Sequence, residues 1–146
     1  MTYAPLWKRL MAALYDLFPV AALLMITTAL VQPFAGAAIP AGSTASRWLQ
    51  LLLLVSITAY YAGSWHRGGF TIGMRAWRLL VMTEEGQTPT LNQSLLRFAA
   101  SLLAIAPLGL GLWWSLFDPR RRMWHDRISG TVVLVQPRAM TPENQK

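Results

Sequence analysis

Residues Arg9–Leu30 read RLMAALYDLFPVAALLMITTAL, and the rest of the chain is organised around them. As a helix rising about 1.5 Å per residue, the stretch is long enough to cross a hydrocarbon core of about 30 Å. Asp16 is out of keeping with it. An ionisable group at mid-bilayer costs on the order of 2.5–3.5 kcal/mol on insertion scales. Such a group is kept only where it faces protein or water and has a partner. Arg9 lies seven positions earlier, two helical turns away on the same face. The two backbones would stand roughly 10 Å apart along the axis. Direct contact would need both side chains extended, or a water or third residue between them. This pair is read as the polar centre of a small integral membrane protein.

The composition agrees. The chain has 146 residues, 54% of them hydrophobic and 13% charged, with the charges clustered between long uncharged runs. That pattern suits a membrane chain better than a soluble core. Cysteine is absent, which excludes disulfides and thiolate metal sites. The net charge of +7 would suggest nucleic acid in a soluble protein. Here the basic residues flank apolar runs, so anionic lipid head groups and the positive-inside rule account for them. Lys8 and Arg9, an apolar run and then Ala35-Gly36-Ala37 resemble a cleavable leader. The run is too long for an h-region of about 7–15 residues, and Asp16 interrupts it.

The first helix is expected to run to about Val31 from a cytoplasmic end marked by Lys8 and Arg9, with Pro19 as a kink one turn after Asp16. Gln32 to Ser46 reads as a loop on the far side. A second spanning helix is expected from Trp48 to Trp65, with indoles near both ends in the head-group zone. The segment from His66 to Leu91 is polar and basic, with Arg67, Arg75 and Arg78. Leu79–Met82 and Thr131–Val135 are β-favouring runs that could pair at the membrane surface. Alternatively Trp77, Leu80 and Met82 lie on an interfacial helix.

Leu95 to Phe117 is a third apolar stretch, broken by Pro107, Gly109 and Gly111. Were it to cross fully, the 13 Lys and Arg residues would divide six against seven. Were it to turn back at Pro107–Gly111, only Arg47 would lie outside and the division would be twelve against one. The positive-inside rule favours the re-entrant hairpin over the full crossing. Asp118-Pro119 has the form of an N-cap and first turn. A helix begun there would put Arg122 one turn from Asp126. The fold expected is therefore all-α integral membrane, two spanning helices and a broken third segment, with short interfacial elements on the cytoplasmic side. One domain covers residues 1–136, followed by a polar tail over 137–146.

Three motifs, WKRLMAALYDL from Trp7, GFTIGMRAWRLLVMTEEGQTPTLNQSLLR from Gly69 and PLGLGLWWSLFDPRRRMWHDRISGTVVLV from Pro107, make the chain resemble the RDD family of small bacterial membrane proteins. The family is named for an arginine and two aspartates. The resemblance runs from Trp7 to Val135 and implies a multi-pass fold in the bacterial cytoplasmic membrane. It carries over Arg9 and Asp16 as the first two name residues. For the third it favours Asp126 in His125-Asp126-Arg127, with Asp118 as rival. Met74 stands where many relatives carry a lysine. Sodium/proton exchange has been suggested for some members.

Two functions follow from these residues. In one, Asp16 binds and releases a cation or proton, or serves the passage of a small solute. In the other, Arg9, Asp16 and Asp126 are structural ties in a non-transporting scaffold or partner subunit. Two spanning helices and a hairpin enclose little volume, so transport would need an oligomer. Asp118, Arg122 and His125 are candidate supporting residues. Arg75, Arg78, Arg120 and Arg121 are candidates for lipid head-group contact. The expected partners are a bilayer with anionic lipids and a second copy or another membrane protein. No nucleic acid, cofactor or metal is expected. Neither His66 nor His125 sits in a metal-binding spacing, and no Walker loop or nucleophile elbow occurs, so no enzyme is expected.

Overall fold

The computed structural model of the protein describes residues 2–35, 39–105 and 113–137. The bend expected at Pro107–Gly111 and most of the polar tail lie outside the described residues. The chain runs β1 (Thr2–Tyr3), α1 (Leu6–Ala35), α2 (Thr44–Gly68), α3 (Ile72–Ala76), β2 (Leu79–Thr83) and α4 (Leu91–Ile105). A 3-10 turn at Trp114–Leu116, a short α5 (Trp124–Ile128) and β3 (Thr131–Val135) complete it. The protein is thus mostly helical rather than all-α.

α1 is 30 residues long and contains Pro19 and Pro33. It is the one described helix long and apolar enough to cross a membrane, with a mean hydropathy of 1.9 over its most apolar window and only 11% of that window buried. A core helix of the same composition would be mostly covered. Instead Phe18 is 76% exposed and Phe34 91%. α2 exposes Trp48, Leu51, Leu52, Leu54 and Val55 in the same way. It starts at Ser43, whose Oγ accepts from the Ser46 amide, and ends at Gly69 in the left-handed region at φ 74°. The Gly69 amide donates to the Trp65 carbonyl at 2.9 Å, a helix stop that glycine adopts without strain.

The polar segment after α2 folds back at the same end. Thr71 caps α3 by accepting from the Met74 amide at 3.2 Å. β2 then pairs antiparallel with β3, Leu79 opposite Val135 and Thr83 opposite Thr131. This is the pairing read from the two β-favouring runs. The surprise is β1: Thr2 and Tyr3 pair with Val135 and Leu134, giving the order β1-β3-β2. Segments before α1, after α2 and after α4 therefore meet in one sheet, and residues 84–130 leave that sheet and return to it.

α4 opens on a capping box. Thr90 Oγ1 accepts from the Gln93 amide, and Gln93 Oε1 accepts from the Thr90 amide at 2.9 Å. The helix expected at Asp118 does not start there. It begins at Trp124, because the Asp118 carboxylate is used instead to hold the Arg122 amide at 2.8 Å. The apolar core gathers Ala4, Ala12, Trp65, Leu79, Val81, Phe98 and Val133 where the helices meet the sheet. Tyr61 lies there between Trp65, tilted against it at 42°, and Phe98, stacked on it at 26°, with ring centroids 5.5 and 5.8 Å away.

Candidate functional site

Two polar clusters are buried at this junction. The first is centred on Asp126, which is fully buried. α5 presents it inward because its Oδ2 accepts from the Met123 amide at 2.9 Å, closing the first turn of the helix. Arg9 reaches the same oxygen from α1 through Nη1. Its Nε donates to the Ala4 carbonyl at 3.2 Å, which fixes the guanidinium plane. Arg97, on α4, approaches Asp126 Oδ1 at 2.6 Å. It also donates to Thr131 Oγ1 at 2.5 Å and lies over the Trp65 ring with its carbon 5.0 Å from the centroid. Arg9 is 8% exposed and Arg97 3%.

Two guanidinium groups thus face one carboxylate. Removing such ions from water costs several kcal/mol each, and only close opposite charge and hydrogen bonds offset that. Burial alone would push the Asp126 carboxyl up. Arg97, Arg9, His125 and the Met123 amide outweigh it, holding the group well below the usual carboxylate range. His125 Nε2 stands 3.5 Å from Asp126 Oδ1. Burial drives its pKa down; Asp126 opposes this, while Arg97 and Arg9 add to it, and the result is about 4. His125 is therefore neutral at pH 7.

The second cluster is centred on Asp16, 2% exposed. Oδ1 accepts from the Tyr60 hydroxyl and from the Gly73 amide, both at 2.8 Å, and Oδ2 accepts from Thr71 Oγ1 at 2.5 Å. Tyr60 Oη accepts in turn from the Ile72 amide at 3.3 Å. α3 comes close because residue 73 has no side chain. A Cβ there would lie 2.1 Å from the Ala12 carbonyl oxygen and 2.9 Å from the Asp16 carboxyl carbon.

The tie expected between Arg9 and Asp16 is not made. Arg9 turns to Asp126, and Asp16 is satisfied by hydroxyls and an amide from α2 and the start of α3. Seven residues of helix separate the two groups, and nearer partners serve each. The pairing expected between Arg122 and Asp126 is likewise replaced. Arg122 bonds Asp118 Oδ2 through Nε at 3.1 Å and Glu84 Oε1 through Nη1 at 2.7 Å. Asp118 belongs to this outer cluster, with Arg120 3.3 Å from Glu84; it does not join Arg9. Arg75, Arg78, Arg120 and Arg121 are all exposed near the sheet end. Arg75 also covers the Phe70 ring at 5.6 Å.

Arg97, Tyr60, Thr71 and Gly73 were not singled out from the sequence. For Arg97 the signal was present: a lone arginine in an apolar run is as costly as Asp16 and needs a carboxylate. Thr71 and Gly73 sit in GFTIGMR, a capping residue and a glycine before a short helix, which signals a turn but not its contact with α1.

Among the described residues, a cavity of about 420 Å³ lies between α1, α2, α4 and the sheet, bounded by both clusters. Its polar lining includes Arg9, Asp16, Arg97 and His125, and much of the remaining lining is apolar. No group of three or more potential metal-ligating side chains occurs among the described residues.

The family model described as "RDD family" matches residues 3–130. An uncharacterised protein of Rickettsia prowazekii (strain Madrid E) is 30% identical over 82 residues, covering 56% of this chain and 45% of that protein. The chain thus spans less than half the length of that curated relative. No solved structure matches the chain. The chain belongs to the RDD family.

Proposed function

We propose that this member of the RDD family is a multi-pass protein of the bacterial cytoplasmic membrane that serves as a non-transporting scaffold or partner subunit. α1 and α2 span the bilayer, and the N-terminus and the sheet lie on the cytoplasmic side. The exposed apolar surfaces of α1 and α2 support the spanning. A chain that leaves and rejoins one sheet between residues 84 and 130 makes no net crossing there, which supports the re-entrant arrangement. That arrangement leaves Arg47 as the one basic residue outside, in keeping with the positive-inside rule.

The observation that carries the structural role is the set of three donors on Asp16. A carboxylate offers about four lone-pair sites, and three are filled from within. A cation carrier needs acceptors around its carboxylate, whereas these neighbours donate. Asp16 thus ties α1 to α2 and α3, as Asp126 ties α1 to α4 and α5. No catalytic constellation is part of this reading.

The test is the full chain in liposomes, wild type against Asp16→Asn. The scaffold reading expects no sodium- or proton-coupled flux from either protein and a lower unfolding temperature for the variant. Flux in the wild type that Asp16→Asn abolishes, with the fold intact, would replace it with cation carriage, for which the position of Asp16 on the cavity wall speaks.

A further inference from the structure

We propose that the cavity between α1, α2 and α4 is a binding site for an amphiphilic anion: an acidic head group on Arg9 and Arg97, an aliphatic chain along the helices. The inference rests on the membrane reading of α1 and α2, and not on the absence of transport.

Three observations carry it. The first is charge. Arg9 and Arg97 together bring two positive charges to the one carboxylate of Asp126. Asp16, on the same wall, keeps its own negative charge, but its partners are Tyr60, Thr71 and Gly73 rather than either arginine, so the excess at Asp126 is local. The second is unused donors. Arg9 Nη2 and Arg97 Nε are buried and make no hydrogen bond within the protein. Buried guanidinium N–H groups are almost always paired, and both arginines line the cavity. An anionic oxygen is the partner that offsets both their charge and their desolvation. The third is the remaining wall. Val20, Leu54, Ile57 and Leu102 face the same space and offer an acidic head group nothing. They suit a hydrocarbon chain. The volume of about 420 Å³ falls in the roughly 300–1,000 Å³ range of small-molecule sites. A wholly polar anion would leave the aliphatic wall unmatched, and a neutral chain would leave the arginines unmatched.

The shared chemistry is a carboxylate or phosphate monoester on an aliphatic chain. A free amphiphile and a membrane phospholipid both supply it. The experiment uses the purified full chain in dodecyl maltoside at fixed concentration, with scintillation-proximity binding of labelled laurate, lauryl alcohol and dioleoyl phosphatidic acid. The site predicts that laurate or phosphatidic acid binds at least tenfold more tightly than lauryl alcohol. Tighter phosphatidic acid identifies a lipid as the natural source, and tighter laurate a free amphiphile. Arg97→Lys keeps the charge opposite Asp126 but removes Nε–H, and lowers anion affinity about tenfold without changing lauryl alcohol. Ala13→Phe, on the exposed side of α1 where Ala13 lines the cavity, narrows the channel for the chain and lowers binding of all three. Equal affinity for acid and alcohol overturns the proposal, as does full laurate binding by a folded Ala13→Phe variant. Binding by a protein that also carries cation flux would remove the scaffold reading and leave the site standing.

Discussion

The Gly73 amide donates to Asp16 Oδ1 at 2.8 Å, and the α-carbon beside it lies so near α1 that a Cβ would come within 2.1 Å of the Ala12 carbonyl. The obstacle is backbone, which cannot rotate away as a side-chain tip can. Gly73→Ala should therefore push α3 off α1, cost about 1–3 kcal/mol as overpacked sites do, and lengthen the Asp16 contacts. Thermal unfolding in detergent measures it. An unchanged midpoint would mean that the two helices are not packed this closely.

Asp126 and Asp118 should behave differently when neutralised. Asp126→Asn leaves two buried guanidinium groups without a counter-charge, a loss of roughly 3–5 kcal/mol. Asp118→Asn weakens an outer contact to Arg122 and costs about 1 kcal/mol. Parallel unfolding curves decide. Similar losses for both would count against Asp126 as the counter-charge on which both guanidinium groups depend.

Acid should loosen the protein in two stages. His125 titrates at about 4 in the folded chain against an ordinary 6.5. Between those values the unfolded chain takes up a proton that the folded chain refuses. The stability present above pH 6.5 therefore falls as pH drops, by on the order of 3 kcal/mol between pH 7 and 4. Asp126 is held below the usual carboxylate range. Its contribution is intact above about pH 4 and is lost only on further acidification. His125→Gln should flatten the first stage and leave the second. Equal slopes in both proteins above pH 4 would show that another group is responsible.

The chain has no cysteine, so single exposed sites report sidedness directly. Gln87→Cys in the turn after β2 and Arg127→Cys on α5 should label together from the cytoplasmic side. Ala41→Cys, between α1 and α2, should label from the other side. Labelling of positions 87 and 127 from opposite faces would break the argument from the shared sheet.

Much of this architecture was legible in the sequence. The apolar run with Asp16, the second helix and the pairing of Leu79–Met82 with Thr131–Val135 follow from length, hydropathy and β-branched content. What pairs with a buried charge does not follow from spacing along one helix. Arg9 and Asp16 share a face, yet Arg9 finds Asp126 and Asp16 finds Tyr60, Thr71 and Gly73. Those partners arrive through tertiary packing. β1 was invisible for a related reason: two residues carry no periodicity, and only the edge of β3 makes them a strand.

The ion pair between Arg9 and Asp126 spans 117 positions of sequence. At a translation rate of roughly 5–20 residues per second, the arginine leaves the ribosome several seconds before its carboxylate exists. Thr2 and Tyr3 likewise wait for Leu134 and Val135. In the membrane arrangement proposed above, α1 therefore enters the bilayer with its basic end unneutralised, which holds that end back among lipid phosphates. The last-made segment then closes the molecule over it, so that a nascent chain cut short before residue 126 would remain inserted but open.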